Sequence, residues 1–240
     1  MSRMLIRVLS ALVMTLLATS LVQPVAQAYT WNRVLKSGDS GADVREVQVR
    51  VAGWAADSAS RSVVKVDGTF GASTEAAVKR FQKAYGLTVN GTVDSATQSK
   101  LNSLQKSDGS TKHFTFSEFH SKDGKGFSGG NVSASEVKEN VRRLMYKLEA
   151  IRKKAGDRAI TVNSGFRSKS HNSSVGGARN SQHTYGIAAD IVISGRSVSQ
   201  TIGYAQTSGF SGIIRYSSFT HVDSRVEYPA YGAASWYWAV

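Results

Sequence analysis

No cysteine occurs among the 240 residues. Disulfides, thiolate metal sites and cysteine nucleophiles are therefore excluded, and the fold must stand on its core and on any metal held by other ligands. Long apolar runs are absent beyond the N-terminus. The one candidate spans Val8 to Val22, behind Arg3 and Arg7 and ahead of the small-residue triplet Ala26-Gln27-Ala28. It is too short for a membrane span and a cleavage site follows it, so residues 1–28 read as a signal peptide. The expected mature chain is secreted and starts near Tyr29. Acidic residues are also scarce, 17 against 30 lysines and arginines. The formal charge is +13, and +11 once Arg3 and Arg7 leave with the signal peptide. That excess favours an anionic partner, and export turns the expectation away from nucleic acid and toward the bacterial cell wall. Two catalytic signatures are missing as well. There is no His-Glu-x-x-His, and the Gly176-Gly177 pair is not followed by the Gly-Lys-Ser/Thr of a phosphate-binding loop.

What is present begins with an internal repeat. Val66-Asp-Gly-Thr-Phe-Gly-Ala-Ser-Thr74 returns as Val89-Asn-Gly-Thr-Val-Asp-Ser-Ala-Thr97. Each copy opens on a turn dipeptide and leads through Ser or Thr into helical periodicity. Ala77, Val78 and Phe81 form one apolar face, and Val44, Val47 and Val51 form another behind a Gly/Asp/Ser turn. Three short helices over residues 29–105 are expected, followed by a polar linker at 106–112. Residues 113–240 then read as an α+β domain with a small antiparallel sheet. Ser133 and Glu136 start a long helix as a capping box, with Val137, Val141, Leu144, Leu148 and Ile151 on its buried face. Strands are expected at Ala159–Phe166, Ile187–Ile193, Ser211–Tyr216 and Phe219–Asp223, a helix at Val198–Ser208, and a loop from Ser168 to Gln182. The Ser235-Trp-Tyr-Trp-Ala-Val240 tail fits either a core plug or a sugar-stacking surface.

His183 precedes Asp190 by seven residues with Gly186 between them. On a strand, Asp190 shares a face with Ala188 and Val192, and Gly186 lets the chain turn so that His183 folds back; a helix would align the two as well. The spacing permits one metal without requiring it. A third ligand is offered by His221 in Phe-Thr-His-Val-Asp, and two imidazoles with one carboxylate suit a hydrolytic zinc site. Arg167, at a strand end in Ser-Gly-Phe-Arg-Ser, is a candidate clamp for an oxyanion or a carboxylate. His113, His120 and His171 have no such company.

Two resemblances follow from these motifs. The segment from Leu35-Lys-Ser-Gly-Asp-Ser-Gly to Val89-Asn-Gly-Thr-Val-Asp, with Ala77-Val-Lys-Arg-Phe-Gln82 between, resembles the helical peptidoglycan-binding domain of bacterial wall hydrolases. Val162-Asn-Ser-Gly-Phe-Arg-Ser, then Ser181-Gln-His-Thr-Tyr-Gly-Ile-Ala-Ala-Asp190, then His221-Val-Asp223 resemble the zinc D-Ala-D-Ala carboxypeptidases, the M15-type peptidoglycan peptidases. This second resemblance implies one Zn²⁺ per chain at His183, Asp190 and His221. It also implies substrate binding at Arg167 and Ser181, and a secreted, cell-wall-associated monomer acting on peptidoglycan. Many members carry an acidic base three residues before the last zinc histidine. Here that position is Ser218, and Asp223 is the expected replacement. Carboxypeptidase action is favoured, with cross-link endopeptidase action, or a zinc-holding wall-binding protein without turnover, as the alternatives.

Overall fold

The computed structural model describes residues 29–240, and the expected signal peptide lies outside the described residues. Three helices come first, α1 (Ala42–Val51), α2 (Ala72–Ala84) and α3 (Ser95–Asn102). Their apolar faces meet in one core that includes Val44, Val47, Val51, Ala77, Val78 and Phe81.

The repeat has a physical cause that periodicity does not reveal. Gln48 of α1 offers its Nε2 to Asp67 Oδ1 (2.9 Å), the Thr69 carbonyl (2.9 Å) and Thr74 Oγ1 (3.2 Å), while its Oε1 accepts from the Gly68 amide (2.8 Å). Gln82 of α2 repeats the arrangement on the second copy. It donates to Asn90 Oδ1, the Thr92 carbonyl and Thr97 Oγ1, and accepts from the amides of Asn90 and Gly91. Each turn is thus folded around one buried carboxamide. Gly68 (φ 81°) and Gly91 (φ 77°) supply the left-handed backbone that brings those amides inward.

The second half holds α4 (Ala134–Lys154), β1 (Ile160–Ser164), α5 (Lys169–Ser174), β2 (Ala188–Ile193), α6 (Val198–Thr207), β3 (Gly212–Arg215), β4 (Thr220–Asp223) and β5 (Tyr237–Ala239). The sheet order is β1-β2-β4-β3-β5. Alternation along the strands divides its faces. Ala189, Ile191 and Ile193 of β2, with Ile213 and Val222, pack against Val141, Leu144 and Leu148 of α4 and Ile202 of α6. The opposite face carries Asp190 and His221.

Three local expectations are corrected. The capping box of α4 is half formed: Ser133 Oγ accepts from the Glu136 amide at 3.2 Å, but the Glu136 carboxylate turns instead to the Tyr231 hydroxyl at 2.7 Å. The Ser168–Gln182 loop contains α5, capped where Ser168 Oγ accepts from the His171 amide at 3.0 Å. The sheet is antiparallel except at one edge, where β5 runs parallel to β3. That edge strand is the aromatic tail, whose Trp238 indole donates to the Phe210 carbonyl at 3.2 Å and packs on the core.

Helix α4 belongs to both halves. Its Ala150 lies in the first core, whereas Leu148 and Ile151 lie in the second. A Cβ on Gly53, just after α1, would come within 2.5 Å of the Ala150 Cβ, so the chain crosses α4 at backbone distance. Arg142 of α4 grips Glu46 of α1 through two bonds of 3.0 and 2.9 Å. At the end of α4, Lys154 Nζ donates to the carbonyls of Gly53 (3.0 Å) and Thr207 (2.9 Å). The polar connector between the halves is itself folded back, with the Lys112 amide on the Leu104 carbonyl at 2.8 Å.

Candidate metal centre

Strand register assembles the site. Asp190 pairs with Ser164 on one side and His221 on the other, and His221 pairs in turn with Ile214. Directly opposed residues project to the same face, so one row across the sheet presents Ser164, Asp190, His221 and Ile214. His183 reaches this row from a single 3₁₀ turn, Gln182–Tyr185. Gly186 closes that turn at φ 75°, and a Cβ there would meet Val137 Cγ1 at 2.9 Å, so the fold-back requires glycine for both conformation and space. His183, Asp190 and His221 are all buried, and one ligand atom from each lies within 4.8 Å of the others. His113, His120 and His171 are not among them.

The outer nitrogens fix what the inner ones can do. His183 Nδ1 lies 2.6 Å from the Gly165 carbonyl, and His221 Nε2 lies 3.1 Å from Asp223 Oδ2. Both partners are acceptors, so in the neutral rings these are the protonated nitrogens. The inner atoms, His183 Nε2 and His221 Nδ1, are then bare lone pairs facing each other at 3.1 Å. Asp190 Oδ1 lies 2.9 Å from one and 3.3 Å from the other. Three acceptors converging in a buried space repel unless a cation joins them. This donor set fits a borderline metal such as Zn²⁺, with an outer partner for each imidazole.

The surrounding charges are ordered accordingly. Burial pushes the His183 pKa down, against the opposing pull of Asp190. Burial also acts downward on His221, but the bonds that its protonated ring makes to Asp190 and Asp223 outweigh it and leave that pKa raised. Burial works against ionisation of Asp190, and its two histidine partners nevertheless hold it well below the usual carboxylate range. Arg167 donates to Asp190 Oδ2 at 2.6 Å through Nη2 and to Ser164 Oγ at 2.8 Å through Nε.

Asp223 does not lie where a base facing the substrate would be. It shares the face of His221, as strand parity predicts, but it is fully buried behind the imidazole. Its carboxylate is bound by the Arg225 amide (3.0 Å) and by the Arg225 guanidinium, Nη2 to Oδ2 at 2.6 Å. Space for it comes from Gly212, the opposed residue on β3, where any Cβ would overlap the carboxylate. Ser218 is exposed in the turn between β3 and β4.

A cavity of about 480 Å³ opens over His183, Asp190 and His221. Arg167, Ser181 and Arg225 line it, and Asp190 is the only carboxylate among its lining residues. One wall is the Gly176–Gln182 segment, held by Asn180 Nδ2 on the Tyr231 carbonyl at 2.9 Å. Another wall is Tyr216 and Phe219, stacked at 4.3 Å. Arg225 and Gly212 carry no signal in the sequence motifs, although Arg225 stands only two residues beyond Asp223.

Comparison with known proteins adds to this geometry. Residues 112–223 match the family described as Peptidase M15, and residues 40–101 match one described as "Putative peptidoglycan binding domain". Over 199 residues the chain is 39% identical to the zinc D-Ala-D-Ala carboxypeptidase of Streptomyces albus G, covering 81% of this chain and 76% of that protein. Among solved structures, the SleB N-terminal domain is 36% identical with a TM-score of 0.26, covering 30% of this chain and 93% of that one. A fused Zn-dependent amidase/peptidase/peptidoglycan-binding protein of Clostridium acetobutylicum ATCC 824 is 33% identical with a TM-score of 0.25, covering 29% of each chain.

Proposed function

The chain belongs to the peptidase M15 family, and from that premise we propose that it is a zinc-dependent carboxypeptidase removing the terminal D-alanine from peptidoglycan stem peptides. The observation that carries this reading is the convergence of two bare imidazole nitrogens and one carboxylate oxygen in a buried site open to a cavity. His183, Asp190 and His221 would hold the zinc. When bound, the ion supplies a Lewis acid and lowers the pKa of water to about 7.

The remaining roles fall to the chain's own side chains. The Gly165 carbonyl and Asp223 set the tautomers of His183 and His221 and keep both lone pairs turned inward. Asp223 is thus assigned to positioning, in place of the base expected at the sequence level. Arg167, beside Asp190, adjoins the reacting carbonyl and offers a fixed positive charge where an oxyanion develops. Ser181, on the cavity wall next to the first histidine, is assigned to substrate placement.

Residues 29–105 are assigned to holding peptidoglycan, 106–112 to the connection and 113–240 to hydrolysis. Holding the wall raises the local concentration of stem peptides at the cleft. Action at the cell wall follows from this pairing, and export rests on the signal peptide expected at residues 1–28. Among the described residues no helix is long and apolar enough to cross a membrane.

Mass spectrometry of pentapeptide and cross-linked muropeptides, incubated with the protein with and without a chelator, tests the proposal. Chelator-sensitive loss of one D-alanine from the pentapeptide is expected. Loss of dimers alone would make the protein a cross-link endopeptidase. No cleavage by fully zinc-loaded protein would leave a wall-binding protein without turnover.

A further inference from the structure

The catalytic cavity contains a second guanidinium that the assignments above leave without a task. Arg225 lines it together with Arg167, and the two are held in similar ways. Arg167 is tied by Nε to Ser164 and by Nη2 to Asp190. Arg225 is tied by Nε and Nη2 to Asp223, at 2.9 Å and 2.6 Å, and its guanidinium lies 5.2 Å from the centroid of the Tyr237 ring. Its side chain is only 16% exposed. One edge of the guanidinium is therefore occupied by Asp223 and one face by Tyr237, and the remaining nitrogen, Nη1, makes no hydrogen bond within the described residues. A half-buried, preorganised arginine that lines a cavity and keeps one nitrogen free is a receptor for a carboxylate.

The two arginines differ in their distance from the ligand cluster. Arg167 touches the ligand Asp190 directly, which puts it beside the bond being cut. Arg225 is one group further out, because it reaches His221 only through the shared oxygen Asp223 Oδ2. A carboxylate one residue past the scissile carbonyl, displaced by about 3.5 Å of chain, needs a cation at such a second distance.

We propose that Arg225 anchors the terminal carboxylate of the substrate, so that the site selects a chain end over an internal bond. The inference rests on the peptidase reading but is tested separately from it. The first readout is equilibrium binding to chelator-treated, metal-free protein, measured by calorimetry with an N-acetylated peptide ending in D-Ala-D-Ala, as free acid and as C-terminal amide. A charge-assisted bond of this kind corresponds to a preference of roughly 10- to 100-fold for the acid. Arg225→Gln is expected to bring that ratio close to one, and Arg225→Lys to restore part of it. Arg167→Gln should weaken acid and amide alike.

In the zinc-loaded protein the same acid-to-amide ratio should appear in kcat/KM, carried by KM. A loss spread equally over acid and amide in Arg225→Gln would mean that Arg225 only props Asp223, and would overturn the proposal. Equal binding of acid and amide by the unsubstituted protein would overturn it without any variant, so a misfolded variant cannot shelter it. Absence of cleavage with the acid preference intact would count against the peptidase reading and leave the anchor standing.

Discussion

Two kinds of buried polar cluster occur among the described residues, and they are built on opposite rules. Around Gln48 and Gln82 every donor meets an acceptor: the carboxamide gives through Nε2 and takes through Oε1, and the backbone of each turn closes around it. Around Asp190 the outer shell is equally well matched, but the inner atoms of His183, Asp190 and His221 are all acceptors. A satisfied cluster stabilises a fold and asks for nothing more. A cluster whose outer atoms are satisfied and whose inner atoms conflict gains stability when a cation joins those atoms. The contrast separates a structural polar core from a binding site using hydrogen-bond accounting alone.

The largest test of the contrast lies at the metal cluster. His183→Ala should reduce zinc from one per chain to near none, by elemental analysis, and D-alanine release should fall to background. Adding zinc to the parent at a thousandfold excess over its Kd should raise stability by about 4 kcal/mol in denaturant titration, and should leave the variant unmoved. Parity between the two zinc responses would sink the assignment.

Next comes the satisfied cluster. Gln82→Ala strands the amides of Asn90 and Gly91 and should cost about 3 kcal/mol of stability while zinc content stays at one per chain. A smaller effect is expected from Gly212→Ala, whose methyl displaces the Asp223 carboxylate. Overpacking of that kind costs about 1–3 kcal/mol and should weaken zinc binding by releasing His221.

The smallest effect concerns pH. Burial disfavours the charge of Glu46, but the hydrogen bonds and charge of Arg142, with help from Arg50, outweigh it and hold its pKa below the ordinary value. A folded-state pKa below the unfolded one means the contribution is complete above the unfolded value, about 4.3 for glutamate, and is lost as pH falls through the folded value. Thermal melts of Glu46→Gln and the parent should therefore differ at pH 6 and converge toward pH 3. A constant gap would show that Glu46 acts by packing.

The sequence disclosed the proposed metal ligands better than their surroundings, for physical reasons. Strand parity put Asp190 with Ala188, and His221 with Asp223, on one face, and the required glycine at position 186 marked the fold-back of His183. Parity says nothing of which side of an imidazole a neighbour occupies. The base expected at Asp223 therefore stands behind His221, fixed there by its bonds to Arg225 and by space at Gly212 that only the assembled sheet reveals. The repeat was plain as text, yet its organising residues were not. A glutamine inside an amphipathic helix looks like an ordinary helix former until its turn closes over it. The short helix α5 was hidden for a related reason, since Ser, Asn and His residues favour loops unless a cap such as Ser168 tips the balance.

The helix shared by the two cores has a consequence for how such a protein would work on a solid polymer. A leash lets its bearer graze over a circle, whereas α4 serves as a structural member common to grip and blade. The cleft then stands at one fixed offset from wherever the helical domain takes hold, as in a cutting jig. Each grip presents only the few bonds that lie at that offset, and reaching the next requires letting go. Tighter holding would therefore slow the work after the first cut, and the best anchor for such a tool is one that slips.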